Sequence, residues 1–182
     1  SGAFALQPNW MNGKMLLNLD SEDEGEFFIG CAGGKDTTAV VDVEYEDVAP
    51  NSLAYKVCVK GLKGGHSGDD INKGLGNAVK ILTRLLWNAY QEYDTRIADM
   101  NAGNLRNAIA REGMAIVTIP KTEKAGFEEY LTKMDHVLKN EFQVTDPEVK
   151  VTFEPTDMPK KLWSEFTEID VLNSLYVCPH GV

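Results

Sequence analysis

The stretch Val59–Gly76, VKGLKGGHSGDDINKGLG, sets six glycines, one histidine and two aspartates between an apolar run and a helical pattern. Three chemistries could use such an open backbone. A phosphate-binding loop starting at Gly61 needs Gly, Lys and Ser or Thr at positions 66 to 68, where the chain has His66, Ser67 and Gly68. A nucleophile elbow starting at Gly65 needs a final glycine where Asp69 stands, and His66 is too close in sequence to serve Ser67 as its base. The third chemistry makes His66 a hydrogen-bond donor to a reacting group, on a loop thinned by glycine so that a ligand can come close. The plain alternative is a strand-to-helix turn with a solvated histidine. His136 falls between helical stripe positions and reads as a surface residue; His180 stands near Pro179, and neither gives a triad spacing.

The elements around this stretch must hold it. LAYKVCVKG (53–61) alternates, with Leu53, Tyr55, Val57 and Val59 on one face, and reads as a half-buried strand. TTAVVDVEYE (37–46) alternates as well, and the turn VAPNS between the two predicts a hairpin. Asp69 or Asp70 is expected to cap a helix carrying Ile71, Leu75, Ala78, Leu82, Leu85 and Ala89. TRIADMNAG and RNAIAREGMAIVTIP read as further strands. A second helix is expected from about Gly126 to Phe142, with Phe127, Leu131, Met134 and Leu138 on one stripe, followed by the strand EVKVTFE. Leu162, Phe166, Ile169 and Leu172 predict a last helix. From Lys35 the order is β-β-α-β-β-α-β-α, an α+β fold with a mostly antiparallel sheet and helices packed on one face. Before it, KMLLNLD and EFFIG read as short strands of the kind covered on both faces in a parallel sheet.

At 182 residues, 43% of them hydrophobic and 25% charged, the chain is expected to bury one core. Eighteen basic against twenty-eight acidic residues give a net charge of −10, which argues against nucleic acid as a partner. Cys31, Cys58 and Cys178 form no C-x-x-C pair, a usage that suits reduced thiols in the cytoplasm. No apolar run is long enough to span a membrane, so none is expected as a partner.

Three blocks, LLNLDSEDEGEFFIGCAGG, VKGLKGGHSGDDINKGLGNAVKIL and GNLRNAIAREG, in this order and spacing, resemble the aminoacyl-histidine dipeptidases. These belong to the zinc-dependent exopeptidases that include glutamate carboxypeptidase and aminoacylase. The resemblance covers the chain from Gly2. It implies a catalytic α/β domain with two zinc ions and an inserted ferredoxin-like lid that mediates homodimerisation, the whole hydrolysing dipeptides such as Xaa-His. Asp20 matches the family's aspartate zinc ligand, a hard oxygen donor suited to that metal; read alone it is a turn or capping aspartate. His66 matches a lid histidine that stabilises the oxyanion of the tetrahedral intermediate. Asn107 matches a lid asparagine associated with substrate binding, its amide able to donate to a carboxylate or oxyanion; read alone it is a strand-edge or turn residue. Glu22, Asp23, Glu24 and Glu26 read as a solvated acidic face.

The family's other metal ligands and its general-base glutamate have no counterpart in this chain. The expectation is therefore a piece of a dipeptidase: residues 1–34 from the catalytic domain, and 35–182 from the lid, which could continue beyond. Such a piece would be inactive alone, because catalytic zinc ordinarily has three protein ligands. The alternative is a stand-alone dimerisation or binding module without catalysis.

Overall fold

A computed structural model describes residue 5 and residues 7–10, 12–17, 19, 24–30 and 33–182. It divides into two units, residues 1–40 and 41–182. In the first unit none of the described residues is in a strand, which corrects the reading of EFFIG; of KMLLNLD, residues 18 and 20 lie outside the described residues. Leu16, Leu17, Phe27 and Ile29 stand exposed. A strand buried on both faces needs neighbours on both sides, and two short runs do not provide them.

The second unit is built on alternation. Strand β1 (Tyr45–Glu46) is followed by the long β2 (Ser52–Lys60), in which Tyr55, Val57 and Val59 are buried on one face while Lys56 and Cys58 lie half-buried on the other. Then come β3 (Gly65–His66), helix α1 (Ala78–Tyr93), β4 (Arg96–Ala102), β5 (Ala108–Ile109), β6 (Gly113–Pro120), helix α2 (Lys124–Glu141), β7 (Lys150–Pro155), β8 (Leu162–Trp163) and helix α3 (Glu165–Val177). The main sheet runs β4-β6-β2-β7 with every neighbour antiparallel. Strands β2 and β4, joined through α1, flank β6, and β6 returns through α2 to β7 beside β2. This is the split βαβ arrangement of a ferredoxin-like fold.

The core lies between the sheet and α1 and α2. Ile81, Leu82, Leu85, Leu86 and Ala89 of α1 and Phe127, Leu131 and Leu138 of α2 meet Val57, Val59, Ile97, Ala115 and Val117. Each large apolar side chain removed from water in this way contributes roughly 1.5–3 kcal/mol. From Ala78 onward the predicted stripes on both helices are thus the buried ones, with Met134 at the margin, whereas Ile71 and Leu75 precede the helix and are half-buried. Helix α3 packs beside α1. The Lys80 ammonium on α1 donates to the carbonyls of Leu175, Tyr176 and Cys178 at 2.7–2.8 Å, capping the C-terminal end of α3.

Four predicted details are corrected. Residues 37–44 form no strand, and Tyr45–Glu46 pairs with Trp163–Leu162 rather than with β2. Both edges of β2 are already taken by β6 and β7, which offer longer ladders. Helix α1 starts at Ala78 and is capped by the Asn77 side chain, which accepts the Val79 amide at 2.9 Å. Asp70 precedes a separate 3-10 turn, Ile71–Lys73, which Gly74 ends with φ of +68°. Residues 106–120 break into β5 and β6. Finally, Leu162 lies in β8, and α3 turns Thr167, Glu168 and Leu172 inward while Phe166 is 72% exposed.

The two edges of the sheet differ. On β4, the Ile97 amide donates to the buried Glu168 carboxylate of α3 at 3.1 Å and Arg96 reaches the Trp163 carbonyl of β8. On β7, Val151 turns its amide away from β2 to Asp135 Oδ1 at 2.8 Å. Alternation puts Phe153 and Pro155 on that same outward side.

Candidate functional site

Strands β3 and β5 form a two-residue antiparallel pair apart from the main sheet, with Gly65 opposite Ile109 and His66 opposite Ala108. The Ser67 amide donates to the Asn107 carbonyl at 3.0 Å. The glycine-rich loop and the loop before β6 are therefore one small unit, and it brings together two of the three residues singled out in the sequence. Asn107 is exposed, and the His66 side chain keeps 53% of its surface. Asp20 lies outside the described residues.

Asp70 organises the loop. Its Oδ2 accepts the His66 amide at 2.7 Å and its Oδ1 pairs with the Lys73 ammonium at 2.5 Å. The Asp70 amide returns a bond to the His66 carbonyl at 3.1 Å. The Lys73 and His66 bonds hold the Asp70 carboxyl below its usual range. A Cβ on Gly65 would lie 2.7 Å from Asp70 Oδ2, so only glycine lets the carboxylate come this close.

The imidazole is oriented by the same turn. The amides of Gly68 and Asp69 both point at His66 Nδ1, at 3.1 and 3.2 Å. Two N–H donors require a lone pair on Nδ1, which places the proton of the neutral ring on Nε2. Asp69 Oδ2 also lies 3.3 Å from Nδ1, a contact that would call for a proton there. The two amides are fixed backbone whereas the Asp69 side chain is 73% exposed and free to rotate, so the amides decide the tautomer. A Cβ on Gly68 would sit 3.2 Å from ring atoms Cε1 and Nδ1, which gives the second glycine its reason. The arrangement leaves Nε2–H as the ring's remaining donor, on an exposed side chain.

Beside β5, a cleft of about 570 Å³ opens on the sheet face away from the helices, lined by Lys56, Lys60, Asn101, Asn104 and Arg111 among others. Its basic side chains contrast with the acidic chain as a whole. Among the described residues no three His, Cys, Asp or Glu side chains gather closely enough to hold a metal ion. No helix among them is long and apolar enough to cross a membrane.

Two carboxylates escaped the sequence reading. Asp146, fully buried, accepts the Lys63 amide at 2.7 Å through Oδ1 and the Gly76 amide at 2.8 Å through Oδ2. In QVTDPE it has the look of an ordinary turn residue before Pro147. Glu168, also fully buried, accepts from Arg96 and from the Ile97 amide, each at 3.1 Å, while Arg96 also binds Glu46 at 2.6 Å. Burial pushes the Glu168 carboxyl up to about 7 despite these donors.

A family model described as a peptidase dimerisation domain matches residues 50–146, the greater part of the four-stranded unit. The chain is 37% identical over 181 residues to the cytosol non-specific dipeptidase of Escherichia coli (strain K12), and the match covers 37% of that protein. The crystal structure of aminoacylhistidine dipeptidase from Vibrio alginolyticus matches with a TM-score of 0.82 at 31% identity, over 99% of this chain and 37% of that one. The chain thus spans little more than a third of the length of either relative. With the match to the family model running from before β2 into the turn after α2, the chain belongs to the peptidase dimerisation domain family.

Proposed function

We propose that this chain is the lid and dimerisation part of a zinc-dependent dipeptidase that acts on Xaa-His and related dipeptides in the cytosol. The likeness to two dipeptidases, one of them cytosolic by name, supports the substrate class and the compartment. The observation that carries the site reading is the geometry of His66: Nδ1 is engaged by two amides, so Nε2–H is the free donor. As a peptide carbonyl is attacked, charge builds on its oxygen. A neutral N–H already oriented toward that position stabilises the charge without reorganising. Asn107, exposed and tied to the same turn, is the residue whose side-chain amide would bind a polar group of the substrate. Asp20 is the candidate metal ligand of the chain. Among the described residues no group of side chains makes a metal site, and no step through the metal follows from this geometry.

The test is steady-state turnover of a dipeptide ending in histidine by the full-length enzyme. His66→Ala is expected to lower kcat by about 10²–10³ with bound metal unchanged. Unaltered kcat, or loss of metal, would overturn the role. The chain alone is expected to give no turnover. Pairing with a second copy through this domain is part of the proposal, and sedimentation of the full-length enzyme as a monomer at high concentration would remove it.

A further inference from the structure

The loop that carries His66 is closed at its base by one side chain. Asp146 lies in the turn after α2, far from the loop in sequence, and is fully buried. Its Oδ1 takes the amide of Lys63 and its Oδ2 takes the amide of Gly76, the two ends of a segment with His66 inside it. The carboxylate is itself fixed, since its own amide donates to the Phe142 carbonyl at 2.8 Å and its carbonyl accepts the Val149 amide at 3.0 Å. Among the described residues no ion pair reaches it. A buried carboxylate without a cation is costly, and what offsets the cost here is a pair of charge-assisted bonds to backbone N–H groups.

The chemistry explains the residue type. Both facing groups are donors, so both positions need an acceptor. A carboxylate supplies two; an asparagine of the same shape supplies one oxygen and sets its NH2 against the other N–H. Position 76 must be glycine for its amide to sit here, because a Cβ on Gly76 would lie 2.5 Å from Leu62 Cδ2 and 3.5 Å from Asp146 Oδ2. Between these ends stand the Asp70 clamp, the two amides on Nδ1 and the Ser67–Asn107 bond.

We propose that Asp146 is a positioning residue for His66: a buried double acceptor that fixes both ends of the glycine-rich loop, so that the imidazole presents Nε2–H in one orientation. Its catalytic meaning rests on the role proposed for His66, but the geometry it claims can be tested apart from turnover.

The experiment is NMR of the chain as it stands, with 15N-labelled backbone and histidine rings, in wild type and in Asp146→Asn. In wild type the Lys63 and Gly76 amides should exchange slowly with solvent, and the His66 ring should show Nδ1 bare and Nε2 protonated. In Asp146→Asn the amides of Lys63, Gly76 and Ser67 should exchange about 10- to 100-fold faster, and His66 should become a mixture of tautomers. The amides of Val57 and Val117 in the sheet should keep their protection, which separates positioning from general loss of stability. Unchanged loop exchange and an unchanged ring in the variant would overturn the proposal. If the variant does not fold, the wild type still decides: Lys63 and Gly76 amides exchanging as fast as exposed loop amides would also overturn it. Failure of the His66 role would show instead as full turnover in His66→Ala, whatever the exchange data give.

Discussion

The amide of Ser67 and the carbonyl of Asn107 meet at 3.0 Å, and that one bond makes neighbours of two loops forty residues apart. His66 and Asn107 therefore report on a shared geometry. In the full-length enzyme, the effects of His66→Ala and Asn107→Ala on kcat/KM should not add. Residues coupled through a common backbone contact show interaction energies of about 0.5–3 kcal/mol in a double-mutant cycle. Simple additivity would place them in separate sites.

The glycines of the loop differ in what they protect. Gly65→Ala drives a methyl to 2.7 Å from Asp70 Oδ2 and should break the clamp on the His66 amide, with a stability loss of about 1–3 kcal/mol in urea denaturation. Gly68→Ala meets only the imidazole ring, at 3.2 Å, and should displace the ring at little cost in stability. The expected order is a large stability change at position 65 and a small one at 68, with His66-dependent turnover reduced in both.

Stability should carry the signature of Glu168. Its folded-state carboxyl is raised from 4.5 to about 7, chiefly by burial, so the folded protein holds this proton more tightly than the unfolded chain. The contribution is complete below about pH 4.5 and is lost as pH rises toward 7. Its slope is at most about 1.4 kcal/mol per pH unit. Glu168→Gln should remove that fall, read as the difference between wild-type and variant unfolding free energies across the window. A constant difference would mean that Arg96 keeps the carboxylate ionised throughout.

Lys80→Met should cost about 1–2 kcal/mol, since three carbonyls at the end of α3 lose their cationic donor while the aliphatic stem is kept. Thermal unfolding measures it. Fraying should be confined to the last turn of α3, visible as faster exchange there.

The sequence is most legible where one rule acts alone. Alternation in β2 and the three-four spacing in α1 and α2 translate directly into buried faces, because each element has one side against the core. Legibility fails where partners decide. Val41 and Val43 alternate as well as Val57 and Val59 do, yet both sides of β2, their expected partner, are taken by β6 and β7. Asp70 looks like a helix cap, but Gly74 and Gly76 interrupt the helix and turn the aspartate into a loop clamp. Phe166 is apolar and outside while Glu168 is charged and inside, because Arg96 and an edge amide of the sheet await a carboxylate there. At the candidate site, residue type and an open backbone pointed to His66 and the family resemblance to Asn107, but the buried acceptor at the loop's base could not be read: nothing in QVTDPE says that two distant amides will point at it.

The outward side of β7 has a consequence for how the molecule behaves in a crowd. Of three successive outward positions, Val151 has spent its N–H on Asp135 and Pro155 has none to give, which leaves Phe153 alone between them. At the opposite margin, the start of β4 is engaged by α3 and β8 through Ile97 and Arg96. Along β7 an arriving strand therefore finds two of three N–H donors missing, which weakens any ladder it could build there. A margin with its donors interrupted in this way discourages the unplanned addition of a strand more than an unbroken one would.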